Sequence, residues 1–217
     1  MKIPSHSKAV IFDMDGLIID SEPYWDMASI EMFYKRGKEC PNEFLKTVIG
    51  MGMRESSQLL KDTYGFEDSV EDLIAEKREI FYRLFFKNPG LHSGVKELVR
   101  NLYEKKIPMA IATMGHNKNK AKHILSVLDL AQFFKLIITS EQVKRGKPYP
   151  DVYLDTAEKL GIPAHECLVL EDAPNGVKAG KAAGMVVYGI NKDETVCIKL
   201  KEAGADAVVR SLKELII

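Results

Sequence analysis

The chain reads as an α/β protein, a doubly wound parallel sheet interrupted by an α-helical insert, and three features of its 217 residues predict this. Short β-branched runs recur and are apolar at almost every position rather than alternately, the pattern of strands covered on both faces. Amphipathic segments of helical period lie between them, so strand and helix alternate. One stretch, residues 21–87, breaks the alternation and holds only helical periodicities.

The strand-like runs are 8–12, 108–113, 136–139, 167–170, 186–190 and 207–209. Helices are expected between them at 94–105, 117–130, 150–160, 174–183 and 195–203, and within the insert at 24–36, 54–64 and 70–86. The insert is bounded by Asp20 and by KNPGLHSG (87–94), where a proline and two glycines cluster. The expected organisation is a core of residues 1–20 and 88–217, with 21–87 a helical subdomain on two connections that can swing as a lid.

Composition narrows the function classes. A 46% hydrophobic content fills a real core, and 31 basic against 31 acidic residues leave no global field to recruit nucleic acid or an anionic membrane. The expected partner is a small molecule. Cys40, Cys167 and Cys197 are odd in number and lack C-x-x-C spacing, which disfavours a disulfide framework or a structural zinc site and suits a reducing cytoplasm. MKIPSHSKAV lacks the apolar region of a signal peptide. No stretch approaches the roughly 20 apolar residues a membrane span needs. A soluble cytoplasmic protein, working as a monomer, is expected.

Doubly wound sheets bind ligands beyond the carboxyl ends of their strands, where strand order reverses. The residues to read are therefore Asp13, Asp15 and Gly16 after the first run, Thr113, Met114 and Gly115 after the second, Lys147 in the loop after the third, and Glu171 and Asp172 after the fourth. Each has an ordinary explanation: turn acids with a glycine of positive φ, a strand-end threonine, a solvated loop lysine, and an N-cap for the helix opened by Pro174. Together they are four carboxylates at one sheet edge, which repel unless a cation sits among them; Mg2+, with hard oxygen ligands, fits. One of the Asp13/Asp15 pair can attack an electrophile while the other acts as general acid and base. The Thr113 hydroxyl and two free backbone N–H groups at 113–115 can hold phosphate oxygens, and Lys147 can offset charge on nucleophile and phosphoryl group.

With these residues assembled, the chain resembles the haloacid dehalogenase superfamily, in the branch with a helical cap after the first strand of a Rossmann-like core. The motifs are DMDG (13–16), Thr113, GKPYPD (146–151) and LEDAPNGVKAGKAAGM (170–185), spread over essentially the whole chain. The resemblance implies that Asp13 is a nucleophile forming an aspartyl-phosphate. It implies that Asp15 is the acid/base and also lends its backbone carbonyl to magnesium. Asp172 becomes a metal ligand, Glu171 a second acid contact, and Lys147 and Thr113 the phosphoryl-binding pair. GLIIDSEPYW (16–25) is similar to the sugar-phosphate phosphatases. The nearby alternative is a beta-phosphoglucomutase, in which a histidine on the first cap helix guards the acid/base from water; the aligned residue here is Trp25. Arg54, in GMGMRESS, matches a cap stretch that contacts the distal phosphate in the mutase, and with Met114, Gly115 and Asn117 completes the expected substrate-binding set. The expected activity is Mg2+-dependent hydrolysis of a small phosphorylated sugar. A receiver-type phospho-acceptor module is a third reading, disfavoured by the helical insert.

Other features read as structural. His116 is expected to be a solvent-facing loop residue, and Lys118, Lys120 and Lys122 a solvated helix face. Gly176, Gly180 and Gly184 suggest close packing of helix on sheet. Phe81, Tyr82, Phe85 and Phe86 suit the core of the insert. His6, His92, His123 and His165 form no metal-binding spacing.

Overall fold

A computed structural model describes residues 1–49 and 51–215. These form two compact units, Met1–Asp20 with Leu91–Ile217, and Ser21–Gly90.

The first unit holds six strands: β1 Ala9–Phe12, β2 Met109–Thr113, β3 Leu136–Thr139, β4 Cys167–Glu171, β5 Val186–Ile190 and β6 Ala207–Val209. They make one sheet in the order β3-β2-β1-β4-β5-β6, with every neighbouring pair parallel. This is the doubly wound order, and it reverses between β1 and β4. All four residues of β1 are fully buried, which a side chain on either face can tolerate only when both faces are covered.

The helices of this unit are α5 Val95–Glu104, α6 Lys118–Val127, α7 Asp151–Leu160, α8 Pro174–Ala182 and α9 Glu194–Glu202. Right-handed crossovers place α5 and α6 on one face and α7, α8 and α9, which touch one another, on the other. Between this second layer and the sheet lie Ile11, Val152, Tyr153, Val169, Val177, Val187 and Leu200, each side chain removed from water contributing about 1.5–3 kcal/mol. On the opposite face Phe12 meets Phe134 edge-on at 5.6 Å.

Local sequence fixes the helix ends. Asn117 caps α6 by accepting the Lys120 N–H at 2.9 Å, Asp193 caps α9 by accepting those of Thr195 and Val196, and Pro174 opens α8 where its missing N–H costs no bond. Gly180 admits the close approach of α8 to the sheet, since a methyl group there would lie 2.6 Å from a Val187 methyl. Gly184 does not share that role: it meets nothing within 4 Å and instead takes φ +73° in the turn after α8.

The second unit consists of α1 Glu22–Lys35, α2 Asn42–Val48, α3 Met53–Tyr64 and α4 Val70–Phe85. Helix α2 escapes sequence reading because it is one short stretch with Phe44 as its single buried residue, too little for a period. The rings of Phe44, Tyr64 and Phe66 pack edge-on around Phe33 at 5.0–5.4 Å. Phe81, Tyr82 and Phe85 are buried in this unit and Phe86 is half-buried. Trp25 stacks on Phe81 with ring centroids 3.8 Å apart. Among the described residues no helix is long and apolar enough to cross a membrane.

Candidate active site

Strand order reverses between β1 and β4, the place where doubly wound sheets bind ligands beyond the carboxyl ends of their strands, and the chain places its acidic residues there. Asp13 follows β1, its N–H donating to the Leu170 carbonyl of β4 at 3.0 Å. Thr113 and Glu171 end β2 and β4, and Asp172 follows Glu171. Lys147 arrives from the loop after β3. That loop is pinned by Arg145, whose guanidinium lies 4.4 Å from the Tyr149 ring centroid and bonds Asp151 at 3.1 Å.

Lys147 is the hub. Its Nζ donates to Asp13 Oδ1 at 2.5 Å, to Glu171 Oε1 at 2.6 Å and to the Ala112 carbonyl at 3.0 Å. Burial works against the ammonium, but Asp13 and Glu171 outweigh it and hold Lys147 well above the ordinary lysine range. Asp13 is itself buried. Burial lifts its pKa from 3.8 to about 7, with Lys147 opposing the rise and Glu171 and Asp15 adding to it. Asp172 is also raised, by burial first and then by Asp13 and Glu171. Oxygens of Asp13, Glu171 and Asp172 lie within 4.8 Å of one another, an acidic cluster that could hold a metal ion.

Asp172 has no capping duty: Ala173 holds the N-cap position of α8 and no side chain caps that helix. Its carboxylate lies over Gly16, where a methyl group would stand 2.0 Å from Asp172 Oδ2, and Gly16 has φ +77°. Gly16→Ala is therefore expected to displace Asp172 and to add left-handed strain. About 1–2 kcal/mol, or roughly 2–8 °C in a circular-dichroism melt, should be lost. An unchanged melting temperature would contradict this packing.

The structure adds residues that sequence reading missed. Tyr153, fully buried on α7, donates its hydroxyl to Glu171 Oε1 at 2.5 Å, so Lys147 and Tyr153 share that oxygen. Its position in the first turn of an amphipathic helix reads only as core; GKPYPD two residues earlier was the available signal. Gly176 serves the same carboxylate, since a methyl group there would collide with Glu171 Oε1 at 1.8 Å.

Two expectations need correction. His116 does not face solvent: it is buried, with Nε2 3.1 Å from Asp15 Oδ1. The Gly115 N–H, expected to be free, donates to Thr113 Oγ1 at 3.3 Å. Thr113 is buried, Met114 and Gly115 are half-buried beside it, and Asn117 is exposed with its side-chain oxygen engaged as the α6 cap. Arg54 belongs to the second unit, exposed on α3 and paired with Glu71 at 2.5 Å.

This fold is shared with known proteins. A family model described as haloacid dehalogenase-like hydrolase matches residues 10–190, and the chain belongs to that family. It is 34% identical over 208 residues to the phosphorylated carbohydrates phosphatase of Thermotoga maritima, covering 94% of both chains. Hexitol phosphatase B of Escherichia coli K12 is 33% identical over 201 residues, covering 85% of this chain and 84% of that one. A solved Entamoeba histolytica structure, described as HAD hydrolase, family IA, variant 3, superimposes with TM-score 0.84 at 28% identity, covering 96% and 95% of the two chains. The beta-phosphoglucomutase of Clostridium difficile does so with TM-score 0.79 at 25% identity, covering 97% and 94%.

Proposed function

We propose that the chain is a Mg2+-dependent phosphatase of small phosphorylated sugars that works through an aspartyl-phosphate on Asp13. The observation that carries this reading is Lys147, bonded at once to Asp13 and Glu171 in a cluster of buried carboxyl groups whose mutual repulsion and burial oppose ionisation of Asp13. Relatives named for phosphorylated carbohydrates and hexitols support the substrate class.

Lys147 orients Asp13 through Oδ1, which leaves Oδ2 to attack phosphorus while the bond to the sugar oxygen breaks. Asp15 gives its proton to that oxygen. In the second half, Asp15 takes a proton from water, the water oxygen bonds to phosphorus, and the Asp13–phosphorus linkage breaks to release inorganic phosphate. The Thr113 hydroxyl and the Met114 backbone N–H hold the phosphoryl oxygens, and Gly115 joins them if its N–H exchanges its 3.3 Å bond to Thr113 Oγ1 for a phosphoryl oxygen. Arg54 and the Asn117 amide nitrogen are the proposed contacts to the rest of the substrate.

The donor set fits magnesium: hard oxygens, crowded anionic charge, and a glycine at 16 that leaves room for Asp172. Asp13, Asp172 and the Asp15 carbonyl would hold it, while Glu171, whose Oε1 is shared by Lys147 and Tyr153, supports from behind. When bound, it would neutralise the carboxylates and the charge on the phosphoryl oxygens.

A panel of hexose phosphates, polyol phosphates and nucleotides assayed for phosphate release tests the reading. Activity is expected on sugar and polyol phosphates, silenced by EDTA and restored by Mg2+; undiminished turnover in chelator removes the metal. Stability supplies an independent readout. A carboxyl group raised from 3.8 to about 7 keeps its proton longer folded than unfolded, so its contribution is full at low pH and drains as pH climbs through 7. Without metal, the protein should lose about 2–3 kcal/mol between pH 5 and 8 from Asp13 alone, and Mg2+ at pH 8 should restore it. A melting temperature flat across that window would refute the acidic cluster.

The mutase reading has the Clostridium difficile likeness in its favour. Trp25, stacked on Phe81 where the mutase resemblance puts a histidine, stands against it. Conversion of a sugar 1-phosphate to a 6-phosphate, dependent on bisphosphate, would decide for it.

A further inference from the structure

Asp15 is engaged by a residue that the scheme above leaves idle. His116 is 1% exposed, and its Nε2 lies 3.1 Å from Asp15 Oδ1. Its neighbour Gly115 receives the other oxygen: a methyl group at Gly115 would stand 2.5 Å from Asp15 Oδ2. Both carboxylate oxygens thus lie against consecutive residues of the loop after β2. An imidazole placed at random on an exposed loop has no reason to leave water for a carboxylate, since burying a polar ring is unfavourable unless a hydrogen bond compensates.

We infer that His116 is a positioning residue for Asp15, its Nε2–H holding the carboxyl group in one rotamer beside Asp13 through both half-reactions. The inference rests on the reading of Asp15 as acid/base. An aspartate side chain has three staggered χ1 wells, and proton transfer needs the carboxyl within hydrogen-bond reach of its target. Gly115 supplies the space and His116 the anchor. Because both belong to the α/β unit, the orientation of Asp15 is built into that unit.

The test uses p-nitrophenyl phosphate, whose nitrophenolate leaves without a proton, so that formation of the aspartyl-phosphate does not need Asp15 and its hydrolysis does. In stopped flow, His116→Ala should form the phosphoenzyme at close to the wild-type rate and hydrolyse it about 10–100-fold more slowly, giving a burst of nitrophenolate before a slow steady state. His116→Gln, which can present an N–H at similar reach, should recover most of the hydrolysis rate. If His116→Ala does not fold, His116→Phe fills the volume without the donor and should give the same burst. Steady-state turnover equal to wild type, or equal slowing of both steps, would overturn the proposal. The parent reading fails differently: Asp13→Asn that still turns over removes the phosphoenzyme and this proposal with it.

Discussion

Asp13→Asn is expected to abolish phosphate release, by at least about 10⁴-fold, while the protein stays folded. The amide keeps the shape of the carboxyl group but cannot form the covalent link to phosphorus, so no phosphoenzyme should be trapped by acid quench or seen as a mass increase. The fold should survive because the charge removed is one the metal-free protein tolerates poorly: burial, Glu171 and Asp15 all push Asp13 toward its neutral form. Lys147 keeps Glu171 as a partner at 2.6 Å, so the substitution does not strand the lysine. The melting temperature at pH 8 in EDTA should therefore hold steady or rise, while its dependence on pH between 5 and 8 flattens. Residual turnover above a hundredth of wild type would rule out covalent catalysis at this position.

Much of the fold was legible because a parallel sheet writes itself into sequence in a distinctive way. With both faces covered, β1, β2 and β4 have no polar alternation, and runs such as AVIF and MAIAT stand out against the amphipathic helices between them. The acidic edge was legible for a related reason: residues directly after buried strands have one place to go, so the sequence alone assigns Asp13, Thr113, Glu171 and Asp172 to one edge. What escaped reading depends on pairings across the fold. Tyr153 and Glu171 are 18 positions apart, and only the packing of α7 against β2, β3 and α8 brings a core-like tyrosine to donate to a carboxylate at the end of β4. His116 misled because loop position suggests water, whereas Asp15, 101 residues earlier, draws the ring inward. Gly176 was read as a packing glycine, and it is one, but what it packs against is the Glu171 carboxylate. Such close approaches follow from where a helix lands on a strand, which periodicity alone does not specify.

Lys147→Met should have the second largest effect, lowering turnover by about 10³-fold and stability by about 3–5 kcal/mol, measured by urea denaturation at pH 8 without metal. Methionine preserves the length and the apolar stem but leaves Asp13 and Glu171 buried together without their shared ammonium, which now bonds both within 2.6 Å. Losing it also removes what opposes the rise of the Asp13 pKa, so the carboxyl groups should protonate at higher pH. The destabilisation should accordingly shrink at pH 5, where Asp13 carries a proton, and Mg2+ should recover part of it at pH 8. The chemical and structural roles can be separated by adding Glu171→Gln. Neutralising the second carboxylate should return much of the stability, since one buried charge is then gone. Turnover should stay lost, because neither change restores a cation beside the nucleophile and the phosphoryl oxygens. If the double variant recovered activity along with stability, Lys147 would serve only to hold the site together, and the charge it carries would have no part in the reaction.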